Sequence, residues 1–289
     1  SGPSRRSDHA MAYDAARGKV VLFGGLTGPG TNSGETWVWD GSAWASLNVL
    51  GPYPRRAHAM SYDSARQVVV LFGGHSDALA TDLGDTWEWN GSSWTQRQVA
   101  GPSPRRSHAM VYDSTRSCTV LVGGYDGDPS GETWEWDGAA WRNRAIQGPS
   151  PRSSHFMAFD SDRAVTVLFG GNTGGSNCAA DTWEYTGSAW TQRSVPDAPS
   201  ARDHGAMIFE PGRGCILMGG SLPGVWSPAR DAQTWLWNGQ AWSIVNELPA
   251  GRSIHAMAFD SARTRTVLYG GKTAFGGNAE LWERGVGTW

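Results

Sequence analysis

One phrase recurs six times along the chain. Arg6, Arg55, Arg105, Arg152, Arg202 and Arg252 open stretches reading RSDHAM, RRAHAM, RRSHAM, RSSHFM, RDHGAM and RSIHAM, at a period of about fifty residues. Each copy continues alike: a short alternating stretch such as HAMVYD, a turn, and a β-branched run ending in Gly-Gly such as VVLFGG. A loop of variable length, a motif such as ETWEWDG and another Trp complete it. The units fall near 1–50, 51–100, 101–147, 148–197, 198–247 and 248–289, which predicts a single domain over 1–289.

The pattern inside a unit predicts strands throughout. HAMVYD alternates with period two, so His, Met and Tyr or Phe share one face. The run before Gly-Gly is continuously apolar, as in a strand buried on both faces. TWEWDG ends in Asp-Gly, a tight-hairpin signal. Each unit is therefore expected to be a four-stranded antiparallel sheet, and the content of 39 Gly and 17 Trp suits short strands with tight turns. Such a sheet, apolar on both faces, must bury each against a neighbour, and radial stacking of six achieves this. An Arg-x-x-His strand, a Gly-Gly strand and a Trp about twenty residues on, as from Gly73 and Gly74 to Trp94, resemble kelch repeats. The resemblance covers essentially the whole chain and implies an all-β fold, a six-bladed kelch-type β-propeller with four-stranded antiparallel blades around a central channel. The last copy stops at Trp289, which matches Trp44, Trp94, Trp141, Trp190 and Trp242. Its blade either has three strands or borrows its outer edge from the first residues.

Several function classes are disfavoured. A net charge of −3, with no basic cluster beyond paired arginines, argues against nucleic acid as a partner. No apolar run is long enough to span a bilayer, and the start SGPSRR has neither an initiator Met nor a signal-type segment. The expectation is a processed, soluble piece without membrane insertion, its compartment left open, with secreted or periplasmic locations among the options. Cys118, Cys178 and Cys215 are odd in number and lack metal-ligand spacing. Gly-x-Ser-x-Gly and His-Glu-x-x-His signatures are absent. Nor does the chain show the Tyr, Cys and copper-ligand set of galactose-oxidase-like members of the resembled family, or the iron motif of plant specifier proteins. Sialic-acid mutarotases share the implied fold, with a polar central pocket that remains open here.

Antiparallel order places the connections between blades, and those between second and third strands, on one face. The latter loops vary most, from YDGDPSG to SLPGVWSPARDA, and variable loops on a rigid scaffold carry recognition. The six phrase-opening arginines reach the same face, as do Glu35, Asp85, Glu132, Asp181 and Glu280. Arg6, Arg55, Arg105, Arg152, Arg202 and Arg252 are thus either structural partners of those acids or a cationic funnel for a ligand. Arginines at this position contact acidic peptides in kelch proteins that bind them, and the resemblance supports the second option. Arg5, Arg56 and Arg106 lack a repeated acid and read as freer charges. His9, His58, His108, His155 and His255 form a ring that reads as packing, with a transition-metal site as the alternative and no cofactor required. His75, near Asp77 and Asp82, and Tyr125, which opens YDGDPSG, are further ligand-binding candidates; Asp126 and Asp128 hint weakly at calcium.

The fifth copy breaks the pattern. Gly205 stands at the His position, His204 falls one residue earlier, Gln233 replaces the acid, Glu210 replaces an Asp, and the longest loop carries Trp226 and Arg230. Either this blade has simply drifted, with Trp226 covering a local apolar patch, or loss of the imidazole opens room near the axis, where Trp226 stacks on a ligand and Arg202 and Arg230 anchor it. The functional expectation is a binding module for a small polar or acidic ligand, or a peptide or protein segment, on this face. The alternative is an enzyme, an isomerase, lyase or metal-assisted oxidase, at the same channel mouth. Oligomeric state is left open.

Overall fold

The computed structural model describes residues 2–223, 232–247, 251–274 and 276–285. Blade one is built from Ala10–Asp14, Lys19–Phe23, Thr36–Trp39 and Trp44–Leu47, hydrogen-bonded in that order from the axis outward. Blades two to five repeat this arrangement, starting at Ala59, Ala109, Phe156 and Ala206. Blade six shows Ala256–Asp260, Arg265–Tyr269 and Leu281–Arg284, so it has three strands among the described residues. No helix long and apolar enough to cross a membrane occurs among them. The inner strands of blades one and six lie side by side like every other neighbouring pair, which closes the ring. At this seam the first residues take the path that Gly51–Pro54 and its counterparts take elsewhere, and the Tyr269 hydroxyl donates to the Pro3 carbonyl. They seal the joint without adding a strand.

Period-two alternation explains the packing between blades. Met60 on one face of its strand meets Ala10, Ala12, Val21 and Phe23 of blade one, and the pattern repeats round the ring. Polar latches add direction to this apolar contact. The outer-strand indoles of Trp94, Trp141, Trp190 and Trp242 each donate to a third-strand threonine of the preceding blade, Thr36, Thr86, Thr133 and Thr182, at 2.9–3.0 Å. On the turn face, Arg66 binds Asp63 at 2.7 Å and Glu88 at 2.5 Å, and Glu88 also accepts from Trp136 of the next blade at 3.2 Å. Arg163, Asp160, Glu184 and Trp237 repeat that bridge. The short uniform turns are thus fixed by ionic joints.

Where blade five lacks this glutamate, having Leu236 at its place, two other substitutions compensate. Blade six carries Arg284 at the tryptophan position, and its buried guanidinium reaches Glu210 at 3.1 Å. The longer Glu210 side chain also binds Arg213 and accepts from Thr266. Glu210 therefore anchors the seam between blades five and six. Glu210→Ala removes one partner from a buried ion pair and should cost about 3 kcal/mol or more in a denaturant titration, whereas Glu210→Gln should cost less.

Candidate binding face and channel mouth

The mouth of the channel is shaped by backbone. Asp8, Ala57, Ser107, Ser154, His204 and Ile254, the residues before each His position, have φ of 51–56°. In this left-handed conformation each donates its N–H to the carbonyl of its counterpart in the preceding blade, from Ala57 to Asp8 at 2.8 Å round to Asp8 on Ile254 at 3.0 Å. Six such bonds form a closed loop about the axis. A second ring lies outside it, where the residue after each Arg bridges to the residue after each Gly-Gly: Ser7 to Leu26, Arg56 to His75, Arg106 to Tyr125, Ser153 to Asn172, Asp203 to Ser221, and Ser253 to Lys272. The backbone is nearly sixfold, while its side chains differ in every blade. Chemical identity at this face therefore resides in these positions.

The phrase-opening arginines are committed to the framework. All six are 0–1% exposed. Arg6, Arg55, Arg105 and Arg152 pair with Glu35, Asp85, Glu132 and Asp181 at 2.6–2.7 Å, and Arg252 pairs with Glu280 at 3.2 Å. Arg202 is held by the Ser200 carbonyl and hydroxyl, both at 2.9 Å, and the Gly219 carbonyl at 3.3 Å. None presents its charge to the channel, so the funnel expectation gives way to its structural alternative. Burial alone would raise the Asp85 and Asp181 carboxyls, but the arginine forks and the indoles of Trp87 and Trp183 hold both below their ordinary value.

The histidine ring is also divided among the seams. The His9, His58 and His108 imidazoles meet Tyr269, Phe23 and Phe72 of the preceding blade edge-on, at 5.5–5.7 Å between centroids. A Cβ on Gly24, Gly73, Gly123, Gly219 or Gly270 would lie 2.9–3.0 Å from the Cε1 of the adjacent His, so glycine is required there. The five rings lie in five separate joints, and no group of three metal-type side chains converges among the described residues. The fifth blade does not leave the joint empty. Phe156, in blade four, stands where other copies have alanine, and its ring lies 3.2 Å from a Cβ on Gly170, at the place the missing imidazole would take. At 2% exposure it fills the space that the sequence had suggested was open.

Three features remain at the face. In the first, His75 Nδ1 lies 2.7 Å from Asp82, and Arg106 binds Asp82 while stacking on Tyr125 at 4.6 Å. Arg56 binds Asp77, so neither Arg56 nor Arg106 is a free charge. His75 and Tyr125 are brought to one recess of about 530 Å³, which Asp82 and Asp126 also line. The second is a pocket of about 320 Å³ between blades six and one, lined by Arg5, Lys272, Ser7, Leu26, Thr27 and Pro29. Its lining holds two cationic groups beside the buried Arg6, and no carboxylate. The third is a hydrogen-bonded chain at the mouth: Ser154 Oγ lies 3.1 Å from His204 Nε2, and His204 Nδ1 lies 2.9 Å from Asp203. Burial opposes charging of His204, yet the Asp203 carboxylate, with Asp8 nearby, raises its pKa above 6.5. Lys272, Ser154 and Asp203 escaped sequence reasoning because their positions matter only through the two rings. Trp226 and Arg230, to which the sequence gives stacking and anchoring roles, lie outside the described residues.

Six blades built from the same Arg, Gly-Gly and Trp positions around a closed channel define a kelch-type β-propeller. Residues 1–142, just under half of the chain, match the family described as the KLHDC2/KLHL20/DRC7 Kelch-repeats domain, in agreement with that fold. A solved structure described as "Structure of YjhT" superposes with a TM-score of 0.79 at 15% identity, covering 98% of this chain and 95% of that one. At that identity the likeness concerns the fold alone. No curated protein matches the sequence.

Proposed function

We propose that the chain is a binding module whose loop face takes an acidic ligand, with its carboxylate in the pocket between blades six and one. The observation that carries this reading is the pocket's composition: exposed Arg5 and half-buried Lys272, no lining acid, and Leu26 and Pro29 for an apolar portion. Among the described residues Arg5 makes no salt bridge, unlike the paired Arg56 and Arg106. A pocket of this volume suits a small ligand or one or two side chains of a peptide. The resembled fold serves widely as a binding scaffold, and the reading agrees with that use. Each cation should contribute about 1.4 kcal/mol or more, hence about tenfold in affinity.

The test is fluorescence polarisation with an array of short peptides containing Asp or Glu, each matched by its Asn or Gln version. Acidic members should bind and their amides should not; Arg5→Glu and Lys272→Glu should each weaken binding at least tenfold. Equal retention of acids and amides, or unchanged affinity in both charge reversals, overturns the assignment.

A further inference from the structure

We infer that Ser154, His204 and Asp203 form a reactive acyl-transfer site at the channel mouth, with Ser154 as nucleophile toward small acyl esters. This goes beyond ligand binding, and none of its three reacting residues is among those on which that reading rests. The geometry assigns the roles. A carboxylate only accepts, so His204 Nδ1–H donates to Asp203 at 2.9 Å, and the neutral ring leaves Nε2 to accept from the Ser154 hydroxyl at 3.1 Å. Asp203 is itself held: its backbone pairs with Ser221, and it lies against Cys178, whose thiol is pushed up to about 12 by burial and by this carboxylate. The thiol stays protonated and Asp203 stays the acceptor. Both reacting groups sit on the rigid left-handed ring, at φ of 55° for Ser154 and 56° for His204.

A cavity of about 130 Å³, lined by both residues and by Ser107, sets the substrate size. It has room for an acetyl-sized group beside Ser154. Ser154 Oγ attacks the ester carbonyl, forming a tetrahedral oxyanion, while its proton passes to His204 Nε2. The carbonyl–oxygen bond to the alcohol then breaks, His204 returns the proton to that leaving group, and water repeats the sequence to release the acid. No oxidant or cofactor is needed. This site explains why blade five moves its histidine one residue earlier: Gly205 and Phe156 preserve the joint, while His204 is freed to meet Ser154 across the seam between blades four and five.

His204 is faced by Asp203 on its own blade, by Asp8 and by the Lys272 ammonium. Reactivity should therefore rise with pH through an inflection above 6.5, as the ring loses its proton. The experiment follows release of p-nitrophenolate from p-nitrophenyl acetate between about pH 6 and 9, and maps the acetyl group by peptide mass spectrometry. Acetyl-Ser154 is expected, with rates about a hundredfold lower in Ser154→Ala and His204→Gln and about tenfold lower in Asp203→Asn. Acetylation of Lys19 or Lys272 without Ser154, or a folded His204→Gln protein that reacts at the wild-type rate, overturns the proposal. The labelling site in the unmodified protein decides the matter even if a variant fails to fold.

Discussion

Lowering the pH from 7 toward 5 is expected to unfold this propeller before its carboxylates titrate. Burial in the seams is the largest cause holding His9, His108, His155 and His255 to a pKa of about 3, with nearby arginine charges adding to it, and His58 lies well below 6.5 for the same reasons. Neither nitrogen of these rings has a hydrogen-bond partner among the described residues, and the backbone groups of Tyr269, Phe23 and Phe72 near His9, His58 and His108 only partly offset the cost of a proton placed there. The sign follows from the depressed folded values. Their stabilisation is complete above the unfolded value of 6.5 and is lost as pH falls from there toward about 3, because the unfolded chain takes up protons that the folded one refuses. Each ring contributes about 1.4 kcal/mol per pH unit below that value, and five together about 7 kcal/mol per unit. Domains are typically stable by about 5–15 kcal/mol, so one to two units should suffice. Tryptophan fluorescence against pH, with denaturant midpoints at pH 7, 6 and 5, measures this. A midpoint that does not move between pH 7 and 5 contradicts the buried neutral ring. The aspartates paired with arginine, Asp85 and Asp181, act in a separate and lower window, since their folded values lie below 3.8.

The second large effect concerns the pair that replaces a histidine. Phe156→Ala should cost about 3–5 kcal/mol, because a buried ring leaves a cavity beside Phe169 and Gly170 that blade five has no side chain to fill. Gly205→His alone should also destabilise, by about 1–3 kcal/mol: a Cβ at 205 meets the Met218 carbonyl oxygen at 2.6 Å and the Phe156 ring at 3.1 Å. Made together, the two changes recreate the His and Ala of the other blades, once the backbone at Met218 has moved to relieve its contact with the new Cβ. The double variant should then be at least about 1 kcal/mol more stable than the sum of the single losses predicts. Denaturant unfolding of the four proteins gives the coupling directly. Strict additivity would mean that Phe156 does not stand in for the missing imidazole.

The architecture was legible in the sequence because it is built from local and periodic constraints. Alternation in HAMVYD, the continuous run before Gly-Gly, and Asp-Gly or Asn-Gly after the Trp pair each act over a few residues, and their sixfold return leaves radial stacking as the way to bury two apolar faces per sheet. The partnership of Arg55 with Asp85 was legible as one of two options for the same reason. The choice between them needed the burial of the guanidinium, which is set by the neighbouring blade.

What only the tertiary structure decided lies across the seams. Phe156 and Gly205, Glu210 and Arg284, and Ser154 and His204 join residues about fifty to seventy positions apart in sequence, each pair made of two departures from, or two particular choices within, the repeat. Read singly, the Gly at 205 looks like lost volume and the shifted histidine like a lost ligand. In the folded ring a phenylalanine from the previous blade supplies the volume, and the histidine meets a serine at the mouth. The physical reason is that a repeat specifies its own strands through neighbours in sequence, whereas each joint is specified by two repeats at once. The sequence alone therefore determined the blades and the face on which they differ; contact between blades determined which of those differences are structural repair and which place reactive groups together.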